Sequence, residues 1–280
     1  MKATWLVCIL VVGPGLGQPA DLPPREPFLT EARAALSRSQ QLWHRYAYRE
    51  RRTELHLNPF GRMGTGGTRV TEVRPSANPQ LTYRRVIERD GVPVPKHELD
   101  HQDAEYRARV ARVQRHAADA RTAQQRTEDE HARQRAEVIV DDVLKTLQFE
   151  IARREVRSGR PVIVVTFKPN PAARPTTREG RMASVFTGSV WIDEALREVT
   201  DVRAVAIDNV SFGGFIAKVY KGTEAVIERR EVEPGVWMPT RLTLSGDIRA
   251  LFRRATIKHV IEWTDYRDIG NPPSPNPVSP

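Results

Sequence analysis

The chain has 280 residues, 39% of them hydrophobic, enough apolar side chain for one sizeable domain with a buried core. Its one cysteine, Cys8, falls in an apolar N-terminal leader, so the processed chain has no disulfide, no cysteine nucleophile and no cysteine-based metal site. The net charge of +9 raises nucleic acid as a partner, since clustered Arg and Lys neutralise phosphates, but export argues against it.

Export is read from the leader. Lys2 is followed by an apolar run from Trp5 to Val12, a Gly13-Pro14-Gly15 break and a small-x-small site ending at Gly17. This pattern specifies a signal peptide over residues 1–17, cleaved before Gln18, and a periplasmic or extracellular location. The apolar run falls far short of the ~20 residues of a spanning helix. Cys8 lies inside that run rather than after a small residue at its end, where a lipid-modified cysteine belongs. In that compartment the positive charge has two uses. It draws the protein to an anionic membrane surface, at about 1 kcal/mol per basic residue near it, or it only keeps the chain soluble.

After a Pro-rich stretch from Pro19 to Pro27, the residues Thr30 to Trp43 read as a helix, with Thr30 as N-cap and Glu31 in the first turn. Its apolar stripe is Ala32, Ala35, Leu36, Ser39 and Trp43. Tyr46 to Leu57 alternates apolar with charged residues, as a strand does. Asn58-Pro59-Phe60-Gly61 and the glycines Gly64, Gly66 and Gly67 then predict a flexible hairpin loop. The glycine run has no Gly-Lys-Ser/Thr ending and no strand-to-helix context, so it is not a phosphate cradle. Strands follow at Thr68 to Val73 and Leu81 to Arg89.

From Pro95 to about Leu147 the composition shifts to Ala, Arg, Glu, Gln, Asp and His, with a thin stripe at Leu99, Tyr106, Val110 and Val113. This predicts a long solvated helical arm inserted into the domain over about 95–147, broken near Thr122 to Glu130. Its first helix projects, and a second, carrying Val138, Ile139, Val140, Val143, Leu144 and Leu147, covers the sheet. The arm contains His97-Glu98-Leu99-Asp100-His101, the His-Glu-x-x-His pattern in which two histidines one turn apart bind zinc and the glutamate activates water. A third ligand is needed, and His116 and Glu137 are the nominees. Three readings compete: a zinc hydrolase, adventitious zinc on His97 and His101, and a solvated helix start. The last leads, because this charged helix lacks the broad apolar face that holds such a motif inside a domain. No cofactor and no catalytic residue is therefore assigned.

The last third, roughly Arg160 to Asp268, has short runs of Val, Ile, Phe, Thr and Trp cut by Gly, Pro and Asn, a pattern that specifies an antiparallel sheet. Glu224 to Val232 and Val236 to Leu244 are two strands joined by Glu233-Pro234-Gly235. Gly188 to Asp193 is another, with Asp193 as the turn residue before a strand from Leu196 to Ile207. The serines Ser184, Ser189 and Ser211 lack a nucleophile elbow.

The strand Gly188 to Asp193, with Trp191-Ile192-Asp193, the step Lys221-Gly222-Thr223 and the stretch Gly235-Val236-Trp237-Met238-Pro239 resemble the periplasmic lipoprotein-carrier superfamily, the LolA/LolB-like proteins. Their relatives include periplasmic stress sensors and lipid-carrying envelope proteins. The resemblance spans most of residues 18–270 but is specific only from about Gly159 onward. It implies an α+β fold, a strongly curved antiparallel half-barrel covered by helices, whose concave side holds acyl chains of lipid or lipoprotein. The implied role is a non-covalent carrier without enzymatic activity. Under that reading the cavity is lined by Leu36, Trp43, Tyr46, Tyr83, Phe167, Trp191, Phe212, Phe215, Trp237 and Trp263. The same aromatics also suit an ordinary closed core. Gly213-Gly214 marks a bulge or entrance loop between Phe212 and Phe215. A second use of the fold is an interaction or stress-sensing module, with the charged arm docking a protein partner; the arm is no part of the minimal carrier pattern. Residues 271–280, with Pro272, Pro273, Pro275, Pro277 and Pro280, cannot sustain helix or sheet and read as a disordered tail.

Overall fold

The computed structural model describes residues 21–57, 63–76, 81–119, 138, 141–212, 217–250 and 253–270, with only the backbone at 56–57, 63–65, 116–119, 212, 217, 248–250 and 253–255. The expected leader at 1–17, the break near 122–130 and the tail at 271–280 lie outside these residues.

Helix α1 (Arg25–Leu42) opens the fold and leads through a 3-10 turn (Trp43–Arg45) into β1 (Tyr46–Leu57). There follow β2 (Met63–Arg74), β3 (Tyr83–Arg89), β4 (Val92–Pro93) and helix α2 (Lys96–Asp119). Then come β5 (Leu147–Arg157), β6 (Arg160–Pro169), a short helix (Arg178–Ala183), β7 (Phe186–Asp193) and β8 (Val199–Ala206). The chain ends through β9 (Val210–Phe212), β10 (Ala217–Val219), β11 (Glu224–Glu233), β12 (Val236–Ala250) and β13 (Arg253–Asp268). Among the described residues, thirteen strands join one sheet in the order β4-β3-β2-β1-β13-β12-β11-β8-β7-β6-β5, with β10 on β12 and β9 on β10. Every pair is antiparallel, and the sheet is open, a curved half-barrel rather than a closed barrel.

Turn chemistry fixes much of the register. Asp90-Gly91 and Ser158-Gly159 each have two consecutive positive φ angles, and each joins strands through a two-residue loop, Arg89 facing Val92 and Arg157 facing Arg160. Gly235, at φ 76°, closes the expected β11–β12 hairpin.

Four expectations shift, the last of them for helix α2. Helix α1 starts at Arg25, with Pro24 as its N-cap, not at Thr30. Pro27 sits in the first turn, where backbone N–H groups have no helical partner, so it breaks nothing. The glycines Gly64, Gly66 and Gly67 are not a loop but part of β2, whose Met63, Gly64 and Thr65 pair with Leu57, His56 and Leu55 of the long strand β1. The glycines serve a bulge, where the register slips between Glu54 and Leu55 and Gly67 takes φ 126°. Residues 141–146 are helical as expected, but Leu147 already belongs to β5.

Helix α2 does not project at its root; it seals the edge of the sheet. The Gln102 side chain accepts from the Val86 N–H at 2.8 Å and donates to the Val86 carbonyl at 3.1 Å, doing for β3 what a further strand would do. Tyr106 donates to the Leu81 carbonyl and Arg109 to that of Thr82, while Tyr83 and Arg85 both reach Asp103. Gln102→Ala leaves both Val86 groups unpaired and is expected to cost about 1–3 kcal/mol. Denaturant unfolding checks the loss, and a concentration-dependent dimer would show the edge reopening.

A second staple joins residues 141–146 to the short helix Arg178–Ala183. The Asp142 carboxylate accepts from the N–H and hydroxyl of both Thr176 and Thr177, with the Thr177 hydroxyl at 2.6 Å. These bonds, that of the Thr177 hydroxyl foremost, hold its pKa down at about 2 from an ordinary 3.8. A depressed carboxylate pKa contributes stability above its unfolded value and loses it as pH falls toward the folded one. Amide protection around 142 and 178–183 is therefore expected to fall between about pH 4 and 2, and Asp142→Asn to flatten that dependence.

Candidate functional site

Strand parity gives the sheet two unlike faces. On one, Phe28 and Ala32 of α1 pack against Ile163 and Val165 of β6, Ile192 of β7 and Val199 of β8, with Phe149, Ile151, Val190 and Val202 partly buried around them. On the other, Val162, Val164 and Trp191 form a smaller buried cluster. There Trp191 donates to Glu155 at 2.9 Å, and Arg157 lies 4.2 Å above its ring.

The registers line up one row of side chains across ten strands on the α1 face. Taken from β3 to β5, it runs Arg89, Arg69, Arg52, Ile261, Leu242, Ile227, Val202, Val190, Val165, Ile151. Three arginines are followed by seven aliphatic residues. The row beside it runs His259, Leu244, Ala225, Ala204, Gly188, Phe167, Phe149, and the Phe167 ring lies over Gly188. With strands about 4.8 Å apart, six spacings give the aliphatic stripe a length of about 29 Å. An acyl chain spans half of a ~30 Å hydrocarbon layer, about 15 Å. Of the stripe only Val165 is fully buried; Ile261, Leu242, Ile227, Val202, Val190 and Ile151 are half-buried. Helix α1 therefore covers the stripe incompletely.

Polar contacts fasten α1 over this face. Ser39 donates to Glu198 at 2.9 Å, and the other Glu198 oxygen lies 3.2 Å from Arg229. Arg229 also donates to the Val199 and Trp237 carbonyls. Both members of this ion pair are 8% exposed. Desolvation pulls the Arg229 pKa down, and the Glu198 charge opposes it. At the periphery α1 has exposed pairs, Glu31 with Arg197 and Arg33 with Asp141.

Where α1 ends, Trp43 meets Tyr48 edge-on at 5.5 Å and Trp263 at 6.3 Å, and Tyr48 meets Tyr266 at 5.6 Å. Burial pushes both phenols up. Glu50, 7% exposed, accepts from Trp263 on one oxygen and from Arg84 and Arg52 on the other.

The expected cavity residues divide accordingly. Leu36 is half-buried on α1, Trp43 and Trp263 sit together on the α1 face, and Phe167 covers Gly188 beside the stripe. Tyr46 is buried, its hydroxyl donating to Glu233, and burial with that contact pushes its pKa up to about 12. Trp237 is buried beneath Arg160. Tyr83 lies instead at the sheet edge against Tyr106 of α2, and Trp191 is on the opposite face, because its neighbour Ile192 takes the α1 side. The Phe212 side chain and Phe215 lie outside the described residues. The aliphatic stripe itself was not legible from aromatic content; the alternation gave each strand two faces, but register alone aligns them.

His97 and His101 lie one turn apart on α2, where Glu98 is held by Arg89, which lowers its pKa, and His101 faces Glu105 at 3.7 Å. Among the described residues no group of three His, Cys, Asp or Glu is placed to hold a metal. The side chains of His116 and Glu137 lie outside them. A cavity of about 510 Å³ opens on the face away from α1, lined by charged residues such as Arg49, Arg51, Glu88, Glu228 and Glu262; it is not the stripe.

No protein-family model and no curated protein matches the chain. Among solved structures it is similar to an outer membrane lipoprotein-sorting protein domain from Vibrio parahaemolyticus, at 9% identity and TM-score 0.33, covering 85% of this chain and 91% of that one. A LolA superfamily protein from Nitrosomonas europaea matches at 8% identity and TM-score 0.34, over 86% and 94% of the two chains. MucB of Pseudomonas aeruginosa, solved with MucA, matches at 7% and 0.23, over 84% and 94%.

Proposed function

We propose that this chain is an exported, non-catalytic binding protein that accepts an acyl chain of lipid or lipoprotein along the aliphatic stripe when α1 lifts. The observation that carries the reading is the continuous row from Ile261 to Ile151, long enough for such a chain and, Val165 apart, only partly buried. The apolar leader run from Trp5 to Val12 supports a periplasmic or extracellular location.

Magnitudes favour the exchange. Ten buried methylenes contribute about 8 kcal/mol at about 0.8 each. Exposing Phe28 costs about 2–3 kcal/mol, losing the buried Ser39 hydrogen bond to Glu198 about 1.5–3 kcal/mol, and the exposed pairs of α1 about 0–1 kcal/mol each. A second reading, in which the charged arm docks a protein partner, would use the parts of α2 not held to the edge at β3.

Isothermal titration with dodecyl maltoside below its micellar concentration tests the proposal. One saturable site is expected, weakened tenfold or more by Ile227→Asp and unchanged by Arg241→Gln on the other face. No binding by the folded wild-type chain would refute it.

A further inference from the structure

Both faces of β1, β2 and β3 carry many charges, but they are arranged differently. On the face away from α1, the row Arg51, Glu262, Arg241, Glu228 alternates in sign from strand to strand. On the α1 face, Arg52, Arg69 and Arg89 stand directly opposite one another on adjacent strands. Like charges in that position repel. Their carboxylates are shared out: Glu98 holds Arg89, and Glu50 holds Arg52 and Arg84 together with the Trp263 indole. Glu54 flanks Arg52 one row on. Arg69, exposed at the centre of the row, makes no ion pair among the described residues.

We infer that this arginine row is a binding site for an anionic head, phosphate or carboxylate, of an amphiphile whose chain lies on the aliphatic stripe; the inference rests on the acyl-chain reading above. Three features carry it. The arginines and the stripe are one cross-strand row, so head and tail need no bend to meet their sites. Guanidinium groups present forked donors matched to phosphate and carboxylate oxygens. An anion between Arg69 and its two neighbours relieves a repulsion that the folded chain otherwise keeps. The opposite face, built from the same strands, pairs its charges internally and has no such need.

The test compares three probes on the full chain: dodecyl phosphate, dodecyl maltoside and inorganic phosphate, each titrated calorimetrically below micellar concentration. Dodecyl phosphate is expected to bind at least tenfold tighter than dodecyl maltoside. Arg69→Gln should erase most of that preference, and Arg52→Gln much of it, while binding of the maltoside is kept. Arg203→Gln, the same charge change on the other face, should leave the preference intact. Arg69 makes no ion pair among the described residues, so Arg69→Gln is expected to fold, and its thermal midpoint reports this. Equal affinities for the two dodecyl probes would overturn the head site and leave the carrier standing. Inorganic phosphate binding as tightly as dodecyl phosphate, and lost in Arg69→Gln, would overturn the amphiphile in favour of a free-anion site. Binding of neither dodecyl probe would sink the acyl-chain reading itself.

Discussion

Glu198→Ala is expected to lower stability by about 3–5 kcal/mol, because it leaves Arg229 charged and without its carboxylate in a position where both side chains are 8% exposed. The Ser39 hydroxyl loses its acceptor in the same step, so the seam between α1 and the sheet fails first. The loss comes from stranding a charge, not from the worth of the pair. Replacing both members by apolar residues, Glu198→Leu with Arg229→Met, should recover most of it. Urea unfolding of both variants decides. A single variant costing under 1 kcal/mol would mean that water reaches Arg229 and that α1 is not sealed there.

Phe28→Ala is the second large effect, about 3–5 kcal/mol for removing an aromatic ring that is 2% exposed. Its distribution matters more than its size. Phe28 joins α1 to Ile163, Val165, Ile192 and Val199, and Arg197 lies 4.8 Å above its ring. If α1 opens as a unit, the loss falls on its own opening equilibrium, and 3 kcal/mol is roughly a 150-fold rise in exchange rate. Hydrogen exchange should then show residues 25–42 exchanging faster while β6 and β7 keep their protection. Equal acceleration everywhere would make α1 an ordinary part of the core.

Local chemistry made much of the fold legible. β1 begins and ends where the alternation from Tyr46 to Leu57 does, and the Pro234-Gly235 turn sets the β11–β12 hairpin. Asp193, 1% exposed, accepts from the Ala195 and Leu196 N–H groups, the turn role its position suggested. Long-range partners were not legible. Nothing local to Gly64 or Gly67 announces that β1 will be long enough to pair with them, and nothing local to Gln102 announces the edge of β3. The same limit applies to the site. Aromatic residues such as Trp191 and Tyr83 drew attention by size, yet parity sends Trp191 to the far face and α2 claims Tyr83. The stripe and the arginine row use unremarked Val, Ile, Leu and Arg residues whose alignment exists only in the register.

The central claim is that an acyl chain lies on the α1 face of the sheet. Photolabelling the full chain with a fatty acid bearing a mid-chain diazirine, followed by peptide mapping, tests it most directly. Labels on β8, β11, β12 and β13 at Val202, Ile227, Leu242 and Ile261, or on the underside of α1, are the expected result. Labels confined to the face of Val164 and Trp191, or none above a denatured control, would contradict it.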